Sequence, residues 1–283
     1  MAGVVLDYQI PASRLAPYIS TFYRLQTDTG LNEVERADRA QLRLRLSAGS
    51  AHYVFADGSR QEATPLHLLG PTSGAFTVSA EGPLLVFGMG LMPAGWEALI
   101  DDDASLLLNR VADAGAVLGE SLTNAVARLR FDQDIAAMAS IIEPVLDALL
   151  RPTQHGTRSF VEAVDAWLAD APSPSLDALA AATGLSRRQV ERRCNQLYGA
   201  PPKLLARKYR ALRAAVALSK QRGGEMPVIE GFYDQSHMIR EIKQFTGMTP
   251  RQVRTGGGGW LTQLSIQHRS ALEGTVPPIV SRT

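Results

Sequence analysis

Hydrophobic positions recur along this chain with two different periods. Gln41 to Ser47 (QLRLRLS) alternates Leu42, Leu44 and Leu46 with Arg43 and Arg45, a period of two that sets the leucines on one face of a strand and the arginines on the other. His52 to Phe55 follows, then the Asp57-Gly58 turn, then Pro65 to Leu69, Ala75 to Ser79 and Leu84 to Met89, parted by Gly and Pro. Many short strands with frequent turns predict a small β-barrel or sandwich over residues 1–100. Past Gly95 the period becomes helical in Trp96 to Ile100, Ala104 to Val111, Leu118 to Leu129 and Ile135 to Leu150. A break at 151–153 and an amphipathic helix from Phe160 to Ala169 complete a helical connector over residues 101–172, a candidate dimerisation region. The segment APSPS at 171–175 is the clearest linker.

Charge sharpens this division. The formal net charge is only +1, yet residues 1–172 carry 12 Lys and Arg against 21 Asp and Glu, while residues 173–255 carry 15 against 6. An acidic part joined to a basic part of domain size points to a polyanion-binding module fused to something else. The single cysteine, Cys194, excludes a disulfide framework. No apolar run approaches the ~20 residues that cross a bilayer, and Met1 to Ile10 lacks the order of a signal peptide. The expectation is a cytoplasmic chain with no membrane partner.

The basic segment contains a weak duplication at an offset of 48 residues: 186–199 lies over 234–247, matching Arg192 with Arg240, Gln196 with Gln244, Gly199 with Gly247 and, beyond, Pro202 with Pro250. Val190, Cys194 and Leu197 align with Met238, Ile242 and Phe245, so each copy predicts a helix with one buried face. Ser186 and Asp234 suit N-caps, Gly199 and Gly247 suit C-terminal caps, and the prolines suit the first turn of the next helix. Leu176 to Ala182, a tight turn at 183–185 containing Gly184, and the first copy together make a helix-turn-helix. Arg187 and Arg188 sit directly after the N-cap, where the helix dipole disfavours cations by a few tenths of a kcal/mol each. DNA facing that end resolves the conflict, because arginine grips guanine edges and phosphates.

Residues 175–255 closely resemble the double helix-turn-helix DNA-binding domain of the AraC/XylS transcriptional regulators. The resemblance is carried by LDALAAATGLS (176–186), QVERR (189–193) and GFYDQSH (231–237) running on to FTGMTP (245–250). It implies two helix-turn-helix units joined by a long helix, Pro202 to about Ser219, presenting recognition helices that begin at Ser186 and near Asp234 to successive turns of one DNA face. Arg187, Arg188 and Arg192 in the first unit and Gln235, Ser236 and Arg240 in the second are the candidate contacts, with Lys203 and Arg251 on phosphates. The family's second scaffold helix falls on GEMPVIE (224–230), where Pro227 limits any helix to a short one, so the second unit is expected to be the more loosely held.

The acidic half resembles the family's sensing half in architecture alone: a small barrel followed by helices, with MPAGW (92–96) similar to a strand-to-helix junction in a subset of these regulators. The fold expected is therefore α+β and multidomain, with a β-barrel or sandwich, a helical connector, an all-α double helix-turn-helix over 173–255 and a tail from 256 to 283. The function expected is a sequence-specific regulator that binds double-stranded DNA under control of a small-molecule effector. A homodimer and RNA polymerase are further candidate partners. The competing class is a small-molecule-binding or enzymatic β-barrel whose basic domain mediates protein contacts. Against an enzyme, His52 and His67 lack metal-site spacing. Ser50, Ser73 and Ser79 lie in no nucleophile elbow, and Cys194 falls on an apolar helix stripe. The run Asp101 to Asp103 reads as a helix cap. No cofactor is expected.

Overall fold

The computed structural model describes residues 4–100, 102–130, 132–170, 174–221 and 229–283. Nine strands open the chain: β1 (Val4–Gln9), β2 (Ile19–Thr27), β3 (Leu31–Glu35), β4 (Gln41–Arg45), β5 (Ala51–Val54), β6 (Arg60–Glu62), β7 (Leu66–Leu69), β8 (Phe76–Ala80) and β9 (Leu84–Leu91). After α1 (Pro93–Leu99) come a single 3-10 turn (Ala104–Leu107), β10 (Val111–Asp113), α2 (Ala114–Leu118), α3 (Glu120–Val126), α4 (Ile135–Leu149) and α5 (Thr157–Asp170). The basic segment forms α6 (Leu176–Thr183), α7 (Arg187–Tyr198), α8 (Pro202–Ser219), α9 (Gln235–Thr246) and α10 (Pro250–Thr255), and the tail forms α11 (Trp260–Ala271) and α12 (Pro278–Ser281).

The strands make two open antiparallel sheets, ordered β1-β2-β9-β4-β7-β10 and β3-β8-β5-β6. Strand β4 lies inside the larger sheet between β9 and β7, and both of its faces are buried. Leu42 and Leu44 pack with Phe87, Trp96, Met138 and Ile142 beneath the layer of α1 and α4. Arg43 and Arg45 face the interior between the two sheets, at 6% and 8% exposure. The alternation marked two environments, and neither is solvent.

The helical reading of Ala104 to Val111 is corrected. Asp103 caps only one turn by accepting from the Ser105 amide at 2.9 Å. Asn109 then adopts φ 55°, and its side chain ties the reversal to the amide and hydroxyl of Ser73. The chain re-enters the larger sheet, with Val111 to Asp113 pairing β7. The strand pairing thus extends past residue 100, because sheet register outweighs helical spacing in so short a segment.

Helix α8 joins two small cores. Its Leu205 and Tyr209 pack with α5, α6, α7 and the tail residues Val276, Ile279 and Val280. Its Ala211, Leu212 and Ala215 pack with Met238, Ile242 and Phe245 of α9, each worth roughly 1.5–3 kcal/mol when fully buried. Pro227 and the scaffold segment 224–228 lie outside the described residues, as do 171–173 of the linker. What is described braces α9 from elsewhere. Glu241, 2% exposed, accepts from Arg207 at 2.7 Å and from Arg210 at 2.6 Å, both on α8. The expected looseness of the second unit therefore meets an ion-pair clamp and an apolar core.

Candidate nucleic-acid interface

Each duplicated helix is built to end sharply. Ser186 and Gln189 close a capping box on α7, and Asp234 accepts from the His237 amide at 2.7 Å on α9. At the other ends Gly199 and Gly247 take φ 72° and 73°, left-handed values that glycine adopts without a Cβ penalty. A Cβ on Gly199 would lie 2.7 Å from Pro71, and one on Gly247 would lie 2.2 Å from Val34. The repeated glycines thus also permit close docking on the N-terminal domain. The last carbonyls of α9, which have no partner within the helix, accept from that domain: Phe245 from the Ala37 amide at 2.7 Å and Gln244 from the Ala75 amide at 2.8 Å.

Both recognition helices therefore dock at their C-terminal ends. Each holds 12 residues, about 18 Å of helix, so the first turns lie away from the docked glycines, while Gln189, Arg192 and Arg193 of α7 line an open cleft shared with Glu97, Asp102 and Asp103. Arg188 and Arg192 are exposed on α7, and neither has an ion-pair partner among the described residues. Arg187 is exposed too, but it forks onto Asp177 of α6 at 2.5 and 2.6 Å, cross-bracing the first unit. Gln235, Ser236 and Arg240 are exposed on α9, and Lys203 and Arg251 are exposed in the first turns of α8 and α10.

Three features escaped the sequence reading. Tyr233, 94% exposed, stands immediately before the α9 cap, and Lys243 is exposed farther along α9. Glu241 is the third, and its signal is that it is the one acid of α9, three residues after Met238 on the buried side. Burial opposes its ionisation, yet hydrogen bonds from Arg207 and Arg210 hold its carboxyl below the usual carboxylate range. Cys194 is fully buried, and burial followed by the nearby charge of Glu191 pushes its thiol up to about 12, the behaviour of a small hydrophobe.

The domains also meet through buried charge. Lys208 of α8, 2% exposed, donates to the carbonyls of Asp38 and Thr72 at 3.1 and 3.3 Å. Burial pushes its ammonium down to about 8. Arg39 donates to the Tyr209 hydroxyl at 3.0 Å, and Arg193 of α7 pairs with Glu97 of α1 at 3.1 Å and with Thr157.

Between the two sheets lies a cavity of about 70 Å³, lined on one side by Leu261, Thr262, Ser265 and Arg269 of α11. His67 lines it and is neutral: burial, then the charge of Arg43, push it down to about 3. Its Nδ1 donates to the Thr64 carbonyl at 2.8 Å, leaving Nε2 to accept from the Tyr53 hydroxyl at 2.8 Å. Both ring nitrogens thus have protein partners. Among the described residues no helix is long and apolar enough to cross a membrane.

Residues 179–256 match the family described as a helix-turn-helix domain, and residues 8–113 match a domain of unknown function (DUF6597). No curated protein matches the chain. Among solved structures, ToxT from Vibrio cholerae aligns at 9% identity and a TM-score of 0.44, covering 89% of this chain and 98% of that one. Wild-type Vibrio cholerae ToxT with bound unsaturated fatty acid aligns at 10% identity and a TM-score of 0.43, covering 88% and 94%. ToxT bound to (E)-4-(8-methylnaphthalen-1-yl)but-3-enoic acid gives 10% and 0.43, covering 89% and 98%.

Proposed function

We propose that this chain, which carries an AraC-type helix-turn-helix domain over residues 179–256, is a transcriptional regulator that binds double-stranded DNA and answers to a small molecule in its N-terminal cavity. One observation carries the reading. Two capped helices from a sequence duplication dock by their C-terminal glycines and leave arginine-bearing N-terminal turns exposed. Such turns suit the major groove, where N-terminal residues of a recognition helix meet base edges.

In this reading Arg188, Arg192, Gln235, Ser236 and Arg240 supply base contacts, and Lys203 and Arg251 supply phosphate contacts. Arg187 reaches DNA only by leaving Asp177. The domain limits at 100, 172 and 255 belong to the same proposal, with β10 shared across the first. So do a regulatory rather than catalytic role, a cytoplasmic site of action, dimerisation through the connector and contact with RNA polymerase. The effector reaches the DNA-binding helices through the docked glycines and the Lys208 contacts.

The test is binding of the full-length protein to genomic fragments enriched by repeated selection. Log affinity should fall linearly with log salt, with a slope of about −0.9 per phosphate neutralised. A salt-independent interaction, or no enrichment of any fragment, refutes DNA binding.

A further inference from the structure

The cavity between the sheets holds more positive charge than its own carboxylates answer. Among the described residues its lining includes the guanidinium groups of Arg36, Arg43, Arg45 and Arg269 but only the carboxylates of Glu35 and Asp38. Arg43 forks onto Glu35 at 2.9 and 2.6 Å, and Arg269 pairs with Asp38. Arg36 is left to share Asp38 at 3.6 Å, with none of its three nitrogens hydrogen-bonded. Arg45 has no ion-pair partner among the described residues, and its Nε and Nη1 make no hydrogen bond. At exposures of 3% and 8% both arginines are largely withdrawn from bulk water, and an unpaired charge held out of water is costly. The neutral His67 removes no part of the excess.

Arg45 acts electrostatically on Tyr53, His67 and the exposed carboxylate of Glu81, which is not within ion-pair distance, and the rest of its surroundings are apolar. Its cross-strand neighbour is Val86, and Leu25, Leu31, Val78, Leu84 and the α11 residue Leu261 line the same cavity. The cavity's 70 Å³ is several times the roughly 10–15 Å³ that a single water needs. The site thus combines a guanidinium edge lacking an anion with an apolar chamber of limited length.

We propose that this cavity binds a small organic monoanion, a carboxylate on a compact apolar body, with the carboxylate on the free edge of Arg45 and the body against Leu31, Val86 and Leu261. Helix α11 is the lid of that site. Thr262 anchors it by donating to the Val34 carbonyl at 2.7 Å, and Val34 also abuts Gly247 at the foot of α9. The occupant therefore touches the element that joins the cavity to the second DNA-binding unit. This deepens the regulatory reading and rests on it for the meaning of the ligand, though not for its binding.

Calorimetric titration of the full-length protein with hexanoate, octanoate and benzoate, and with hexanamide and acetate as controls, tests the assignment. At least one of the three apolar acids should bind saturably. Hexanamide, isosteric but neutral, and acetate, lacking the apolar body, should each bind at least about tenfold more weakly. Arg45→Met should abolish acid binding while leaving the unliganded melting temperature equal or higher, since an unpaired charge is removed; Arg45→Lys should restore part of the binding. Trp260 emission should shift on binding in the wild type. Absence of binding by all three acids, hexanamide binding as well as hexanoate, or unchanged binding in Arg45→Met overturns the proposal. The same preparations are assayed on DNA. Salt-dependent DNA binding without acid binding defeats this proposal alone, and acid binding without DNA binding defeats the regulatory reading alone.

Discussion

Replacing Glu241 with glutamine isolates the clamp that holds the second unit. The carboxylate is 2% exposed and serves Arg207 and Arg210, themselves 37% and 10% exposed, with His237 Nε2 at 3.2 Å. Removing one partner of a buried ion pair costs about 3–5 kcal/mol because the other charge is left unanswered. Arg207 is exposed enough for water to take over its share, and glutamine retains one oxygen acceptor. The expected loss is therefore about 2–3 kcal/mol, concentrated in α9. Amide hydrogen exchange reads it directly: protection across 235–246 should fall by roughly 30- to 150-fold, at about 1.4 kcal/mol per factor of ten. Protection across 187–198, on the other side of α8, should change little. Loss spread equally over α7 and α9, or none at all, would refute the clamp and assign the bracing of α9 to its apolar core and its dock.

Three further outcomes follow from the geometry. Gly247→Ala should cost about 1–2 kcal/mol for its left-handed backbone, plus the clash with Val34 that a Cβ at 2.2 Å implies. Adding Val34→Ala should recover only the clash, and complete recovery in urea unfolding would show that the backbone conformation is unimportant. His67, near 6.5 in the unfolded chain and pushed down to about 3 in the fold, binds its proton more readily when unfolded. Stability should therefore decline as pH falls from about 6.5 towards 3, by up to about 1.4 kcal/mol per unit from this group. His67→Gln should flatten that decline, and unfolding curves at pH 7 and pH 5 that separate identically in both proteins would contradict it. Arg188→Ala or Arg192→Ala should cost roughly 1–3 kcal/mol on a selected site and relax preference there, while Lys203→Ala weakens all sequences alike. Equal losses on selected and random DNA would reduce the two arginines to backbone contacts.

The recognition helices were legible because their signals are local. Ser186, Asp234, Gly199 and Gly247 specify caps through the backbone conformations they favour, and α8 begins at Pro202 and ends at Ser219 as read. The spacing of Val190, Cys194 and Leu197 gave the buried face of α7. Long-range facts were not legible. Nothing in QLRLRLS indicates that the arginine face meets a second sheet, so the cavity and its unanswered guanidiniums were invisible. The tail could be parsed as a glycine link and a helix, but only its position shows Leu261 and Arg269 entering the cavity wall. The helical spacing at 104–111 yielded to Asn109 and to pairing with β7. The expectation of a loosely held second unit rests on Pro227, outside the described residues, and the brace from Glu241 to two arginines more than 30 residues away in the chain is a long-range contact that the local sequence does not show.

In the proposed regulator α7 and α9 enter DNA by their N-terminal turns. Photo-crosslinking tests it most directly, with benzoylphenylalanine placed singly at positions 188 and 240 of the full-length protein on a selected DNA fragment. Crosslinks should fall in the major groove at two places about 10–10.5 base pairs apart on one face of the duplex. Equally efficient crosslinking from position 120 on α3, which packs on α2 and α4, or none from either helix while the DNA stays bound, would contradict this placement.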